Sequence, residues 1–117
     1  MTAPHHHAGL AAEEIAAQAY EARGGRILAR RHRTQAGEID LVVTLGDLTV
    51  FVEVKQRRRP TGADSPVGAR QWARIAAAAE IWLAERGATG GARFDAAILL
   101  PDGRLEIVED AHRPGLA

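Results

Sequence analysis

Gly37-Glu38-Ile39-Asp40-Leu41-Val42-Val43-Thr44-Leu45-Gly46-Asp47-Leu48-Thr49-Val50-Phe51-Val52-Glu53-Val54-Lys55-Gln56-Arg57 reads as two β-strands joined by a tight turn. Both arms are rich in β-branched and aromatic residues. Gly46-Asp47 suits a two-residue hairpin turn with Gly first. With those as the turn, Leu45 faces Leu48, Val42 faces Phe51, Asp40 faces Glu53 and Glu38 faces Lys55. A strand has period two, so all four ionisable groups fall on one face at one end of the hairpin. The other face carries Ile39, Leu41, Val43, Val50, Val52 and Val54, an apolar core surface.

Two carboxylates placed opposite each other repel and weaken a sheet. A divalent cation between Asp40 and Glu53 would reverse the sign of that interaction. The donors are oxygens and the chain has no cysteine. That points to Mg²⁺ or Mn²⁺ rather than Zn²⁺. The competing reading is an Asp40–Glu53 pair facing water beside a Glu38–Lys55 surface salt bridge. The lysine argues against it: of the 15 basic residues, 14 are Arg and the one Lys is Lys55. Lys is a compact point charge whose pKa can fall, whereas Arg stays charged on a broad fork.

Outward from the hairpin, Gly9 to Arg23 reads as a helix rich in Ala, Glu and Gln, with Ile15, Ala16, Ala19 and Tyr20 as its apolar stripe. Gly24-Gly25 stops it, and Arg26 to Thr34 reads as the first strand. Arg58 to Val67, with Pro60, Gly62 and Pro66, reads as a loop. Gly68 to Arg86 reads as a second helix whose stripe is Trp72, Ile75, Ala76, Ala79, Trp82 and Leu83, with both tryptophans in the core. Arg93 to Leu100 and Leu105 to Glu109 form a closing hairpin around Asp102-Gly103. The order is helix, three strands, helix, two strands: a mixed α/β fold around one sheet, with an antiparallel meander at its centre. Residues 1–8, including His5, His6 and His7, read as a flexible tail. Residues 9–117 make a single domain with a frayed C-terminus. His32 and His112 are expected on the surface.

The chain has 117 residues, with 46% apolar and 26% charged, which suits one soluble globular domain. The formal net charge is zero, which excludes a histone-like polycation but leaves room for a local basic face. Absent cysteine excludes disulfides, zinc-thiolate sites and a cysteine nucleophile. The one serine, Ser65, lacks a nucleophile-elbow setting, and no phosphate-binding P-loop occurs. No apolar run approaches membrane-spanning length, so no membrane role and a cytoplasmic location are expected.

Asp40 followed by Glu53-Val54-Lys55 on the next strand resembles the PD-(D/E)xK nuclease signature. With Glu13, Gly37-Glu38-Ile39-Asp40-Leu41, Phe51-Val52-Glu53-Val54-Lys55-Gln56-Arg57 and Arg93-Phe94-Asp95, the chain resembles the YraN-type family of small endonuclease-like proteins. That family is similar in motif layout to archaeal Holliday-junction resolvases, and the resemblance covers residues 9 to about 110. It implies a restriction-endonuclease-like αβββαβ core, a mixed sheet with helices packed on it. It implies that Asp40 and Glu53 are metal ligands helped by the Val54 carbonyl, that Lys55 orients or activates water, and that Glu13 reaches the site from the first helix. Gln71 would sit at its edge. The chain departs from the family at Arg31, where Asn is usual, and at Arg70, where Lys is usual.

The expected activity is Mg²⁺-dependent hydrolysis of phosphodiester bonds in DNA, with branched or structured DNA as a candidate substrate. The alternative is a nucleic-acid-binding module of the same fold with little or no cleavage. The expected partner is nucleic acid, DNA before RNA, and a homodimer would supply two sites for cutting both strands of a duplex. Contacts to the nucleic-acid backbone would come from Arg30, Arg31 and Arg33, in a stretch from Arg23 that lacks acids, and from Gln56, Arg57, Arg58, Arg70 and Gln71, with the arginines supplying the positive charge.

Overall fold

A computed structural model describes residues 4–57 and 67–114. Its elements are α1 (Pro4–Ala22), β1 (Arg26–Thr34), β2 (Gly37–Leu45), β3 (Leu48–Gln56), α2 (Ala69–Arg86), β4 (Ala92–Leu99) and β5 (Leu105–His112). The strands form one sheet in chain order, β1-β2-β3-β4-β5. β3 and β4 are parallel, while every other neighbouring pair is antiparallel. A parallel pair needs a long crossover, and the segment containing α2 provides it. The mixed α/β sheet with two packed helices is therefore as expected, with one correction. The β1–β2–β3 meander fills one flank, and β3 is the central strand.

The helices take opposite faces. Ala16, Ala17 and Tyr20 of α1 pack on Leu41, Val43, Val50, Val52 and Ala97. Trp72, Ile75, Ala78, Ala79 and Trp82 of α2 pack with Val42, Phe51 and Phe94. Alternate residues of β2 and β3 thus feed two cores, which is why both strands read as nearly continuous apolar runs. Both tryptophans lie in the core, as expected.

Several boundaries differ from the sequence reading. α1 starts at Pro4, so residues 4–8 continue the helix instead of belonging to the tail. Proline suits a first helical turn, where its missing N–H has no partner to lose. The buried stripe of α1 is Ala12, Ala16, Ala17 and Tyr20, while Ile15 is 38% exposed. Small alanines let the helix lie close to the sheet, and that closeness selects their face over the one bearing Ile15. β5 continues to His112, which pairs with Phe94, so the strand outruns Glu109. His32 and His112 are half-buried: His32 meets Trp82 edge-on at 4.9 Å, and His112 stacks on Trp72 at 5.3 Å. Residues 1–3 of the expected tail, the expected loop from Arg58 to Pro66, and residues 115–117 lie outside the described residues. Among the described residues, no helix is long and apolar enough to cross a membrane.

Candidate metal centre

The β2–β3 hairpin keeps the expected register from Leu45↔Leu48 to Leu41↔Val52, and its paired ladder stops there. Gly46 opens the turn at φ +61°, a left-handed value that glycine adopts without cost. Odd-numbered β3 residues aim their N–H groups at β4. Thr49 N–H donates to the Gly91 carbonyl, and Arg57 N–H, just past the strand, donates to that of Leu99. Val54 N–H therefore faces β2, beyond the end of the ladder. Its acceptor is a side chain: Val54 N–H donates to Asp40 Oδ2 at 2.8 Å. The carboxylate stands in for a missing main-chain carbonyl and satisfies a backbone donor. The Val54 carbonyl lies on the same strand edge as its N–H.

The alternation of β2 breaks at the same place. Leu41 belongs to the α1-side core, but Ile39 belongs to the α2-side core, which corrects the expectation that the two share a face. The β1–β2 register itself is unchanged here, running from Arg30↔Leu41 to His32↔Ile39 after a shift between Ile27 and Ala29, and Arg31 takes φ +48°. Asp40 occupies the switch point between the two faces.

Glu53 is 6% exposed. Its carboxyl group hydrogen-bonds with that of Asp40 and receives a hydrogen bond from Gln71, in the first turn of α2. Burial, then the Asp40 contact and its charge, push the Glu53 pKa up to about 9, against the opposing pull of Lys55 and Gln71. A carboxyl group so raised keeps its proton at neutral pH. The expected juxtaposition of Asp40 and Glu53 is present, as a side-chain contact beyond the ladder. The expected Glu38–Lys55 pairing is not. Glu38 turns to β1, opposite Arg33, with Arg33 Nε at 3.3 Å and Arg31 Nε at 3.8 Å.

Glu13 approaches from α1. Its pKa is raised by burial and by the charge of Asp40, and Arg31 Nη1 lies 3.9 Å from it. Among the described residues, no three His, Asp or Glu side chains close into a metal-ligand set. The centre is an Asp40–Glu53 pair with the Val54 carbonyl edge beside it and Glu13 in an outer position. This all-oxygen donor set fits Mg²⁺ or Mn²⁺, since Mg²⁺ commonly takes one or two carboxylates and keeps several waters.

Gly37, Glu38, Asp40, Glu53, Gln71, Arg74 and Ile75 line a cleft of about 240 Å³. Gln71 is therefore at the site, as expected. Gly37 and Arg74 are additions to it. Gly37 has φ +153°, and a Cβ there would lie 3.5 Å from the Arg74 Cβ. The spacing of Gln71, Arg74 and Ile75 puts all three on one helix face, a signal the sequence held for Arg74.

The other expected backbone contacts are spread out. Arg30 donates to Glu14 of α1 at 2.7 Å, so Arg30, Arg31 and Arg33 each face a carboxylate. Gln56 is exposed at the end of β3, and Arg70 is exposed in the first turn of α2. Arg58 lies outside the described residues. Asp95 is fully buried on the α1 side of β4, where it accepts from Tyr20 Oη at 2.7 Å, Arg93 Nε and Nη2 at 2.8 Å, and Asp110 N–H at 3.0 Å. It ties α1, β4 and β5 together. Burial and the Asp95 charge raise the Tyr20 pKa.

Residues 12–99 match the model of the uncharacterised protein family UPF0102. The chain belongs to the UPF0102 family. A UPF0102 protein of Ruegeria pomeroyi is 48% identical over 112 residues, covering 94% of this chain and 91% of its own. One from Azorhizobium caulinodans is 51% identical over 108 residues, covering 91% and 82%. One from Mesorhizobium japonicum is 50% identical over 91 residues, covering 76% and 73%. The YraN-type resemblance expected from Gly37–Leu41 and Phe51–Arg57 is thereby shown at the level of the family. The UPF0102 match contains Glu13, Asp40, Glu53, Lys55, Gln71 and Arg74, so the whole cleft lies within it.

Proposed function

We propose that this UPF0102 protein is a metal-dependent nuclease that hydrolyses phosphodiester bonds in DNA, branched or structured DNA included. One observation carries the reading: Asp40 and Glu53 meet at the parted end of a hairpin, with Lys55 two residues further along the same strand face. Mg²⁺ or Mn²⁺, held by Asp40, Glu53 and the Val54 carbonyl, would supply Lewis acidity to a phosphoryl oxygen and a water of lowered pKa.

The chain's own groups do the rest. Val54 N–H fixes the Asp40 carboxylate, and Gln71 orients that of Glu53. Lys55 holds the attacking water or steadies charge on the phosphoryl group. Glu13 holds an outer water from the α1 side. Arginine is a poor substitute for Lys55, because its broad fork fills the space differently. A homodimer would bring two such centres to a duplex.

Incubation with branched, duplex and single-stranded DNA in Mg²⁺, Mn²⁺ or EDTA tests the proposal. Cleavage is expected with either metal and not in EDTA. Lys55→Ala is expected to lose cleavage by about 10²–10⁴-fold while keeping DNA binding. Salt-sensitive binding without cutting would favour a nucleic-acid-binding module of the same fold. Failure to bind DNA, with no divalent uptake by calorimetry, would remove both readings.

A further inference from the structure

We propose that Arg74 is the phosphate-holding residue of this centre, its guanidinium receiving the non-bridging oxygens of the phosphodiester presented to Asp40 and Glu53. The inference rests on the nuclease reading and names its substrate contact.

Position makes the first argument. Arg74 lies one helical turn after Gln71, on the same face of α2, and lines the cleft with both carboxyl groups. The start of β2 passes close to its stem, since a Cβ built at Gly37 would lie 3.5 Å from the Arg74 Cβ. The exposed guanidinium is the part left to reach a ligand.

Charge makes the second. Arg30, Arg31 and Arg33 each sit beside a carboxylate of α1 or β2, whereas Arg74 forms no ion pair among the described residues. A phosphodiester entering beside Glu38, Asp40 and Glu53 meets negative charge. An unpaired planar fork offsets it and can grip two oxygens at once.

Size makes the third. At about 240 Å³ the cleft is smaller than the roughly 300 Å³ at which small-molecule pockets begin. It suits one phosphate group of a polymer with its waters, rather than an enclosed free nucleotide.

The test uses the full chain and a DNA oligonucleotide with Ca²⁺ in place of Mg²⁺, read by fluorescence anisotropy. Each phosphate is replaced in turn by a neutral methylphosphonate. The wild-type protein is expected to lose about tenfold in affinity at the phosphate nearest the carboxyl pair. Arg74→Ala should bind unmodified DNA more weakly by a similar factor. The methylphosphonate at that position should then cost it nothing further, while other positions keep their penalties. Arg74→Lys, which keeps the charge but loses the fork, should retain part of the penalty. Thermal melts should show Arg74→Ala as stable as wild type, and Arg74→Gln gives the same reading if the alanine variant is not. A penalty profile identical in wild type and Arg74→Ala overturns this inference alone. A wild-type protein that binds no DNA overturns the nuclease reading with it.

Discussion

Glu53 is buried against a second carboxyl group, and its pKa rises to about 9 from an ordinary value near 4.5. A carboxyl group raised in the folded state contributes its full stabilisation below the ordinary pKa. That contribution fades as pH climbs toward the folded value. The metal-free protein should therefore melt at falling temperatures from pH 5 to pH 9. Glu53→Gln should flatten that dependence and be the more stable form at pH 9 by roughly 1–3 kcal/mol. Thermal melts across the pH range check both statements, and a wild-type profile as flat as that of Glu53→Gln would count against them. Mg²⁺ bound by the folded state alone should raise the wild-type melting temperature at pH 8, and Glu53→Gln should respond weakly or not at all. The meeting of Asp40 and Glu53 was legible from period two and a glycine-led turn. The partner of Glu38 was not, because it depends on β1 arginines that no local pattern ties to it.

Among the elements, β1 carries two irregularities, a register shift between Ile27 and Ala29 and a positive φ at Arg31. Arg31 sits at φ +48°, a region costly for most residues and easier for Asn. Its two ion pairs, at 3.8 and 3.9 Å, are long and partly exposed, so they stabilise little. Arg31→Asn should therefore raise stability by about 0.5–1 kcal/mol in chemical denaturation. A loss of stability would mean that the ion pairs outweigh the backbone strain. α1 is anchored differently, by the Tyr20–Asp95 hydrogen bond under the sheet. Tyr20→Phe leaves a fully buried carboxylate one donor short and should cost about 1–3 kcal/mol. Helix and strand order could be read from apolar periodicity and glycine stops. The face of α1 could not, since Ile15 outranks alanine in hydrophobicity while close helix–sheet packing rewards the smaller side chain. The change of face between Ile39 and Leu41 also escaped, because a strict period of two has no place for a break in alternation.

For the molecule as a whole, zero net charge conceals an uneven use of arginine. Arg30, Arg31 and Arg33 of β1 face the acids of α1 and β2, whereas Arg70 and Arg74 lie exposed on the first turns of α2. On the nuclease reading, DNA affinity should therefore depend on salt only modestly, falling roughly tenfold between 50 and 200 mM, because few contacts are made. Anisotropy titrations at several salt concentrations check this, and a flat response would place the binding surface elsewhere. Asp40 adds a consequence of its own. Because its carboxylate closes the backbone where β2 and β3 part, it serves as mortar in addition to its proposed role in holding a metal. Alanine there would damage architecture and reactivity together, so asparagine, which keeps an acceptor, is the cleaner probe. The same asymmetry bears on descent. On the nuclease reading, a lineage could discard Lys55 and stay folded, whereas discarding Asp40 would require a repair to the sheet.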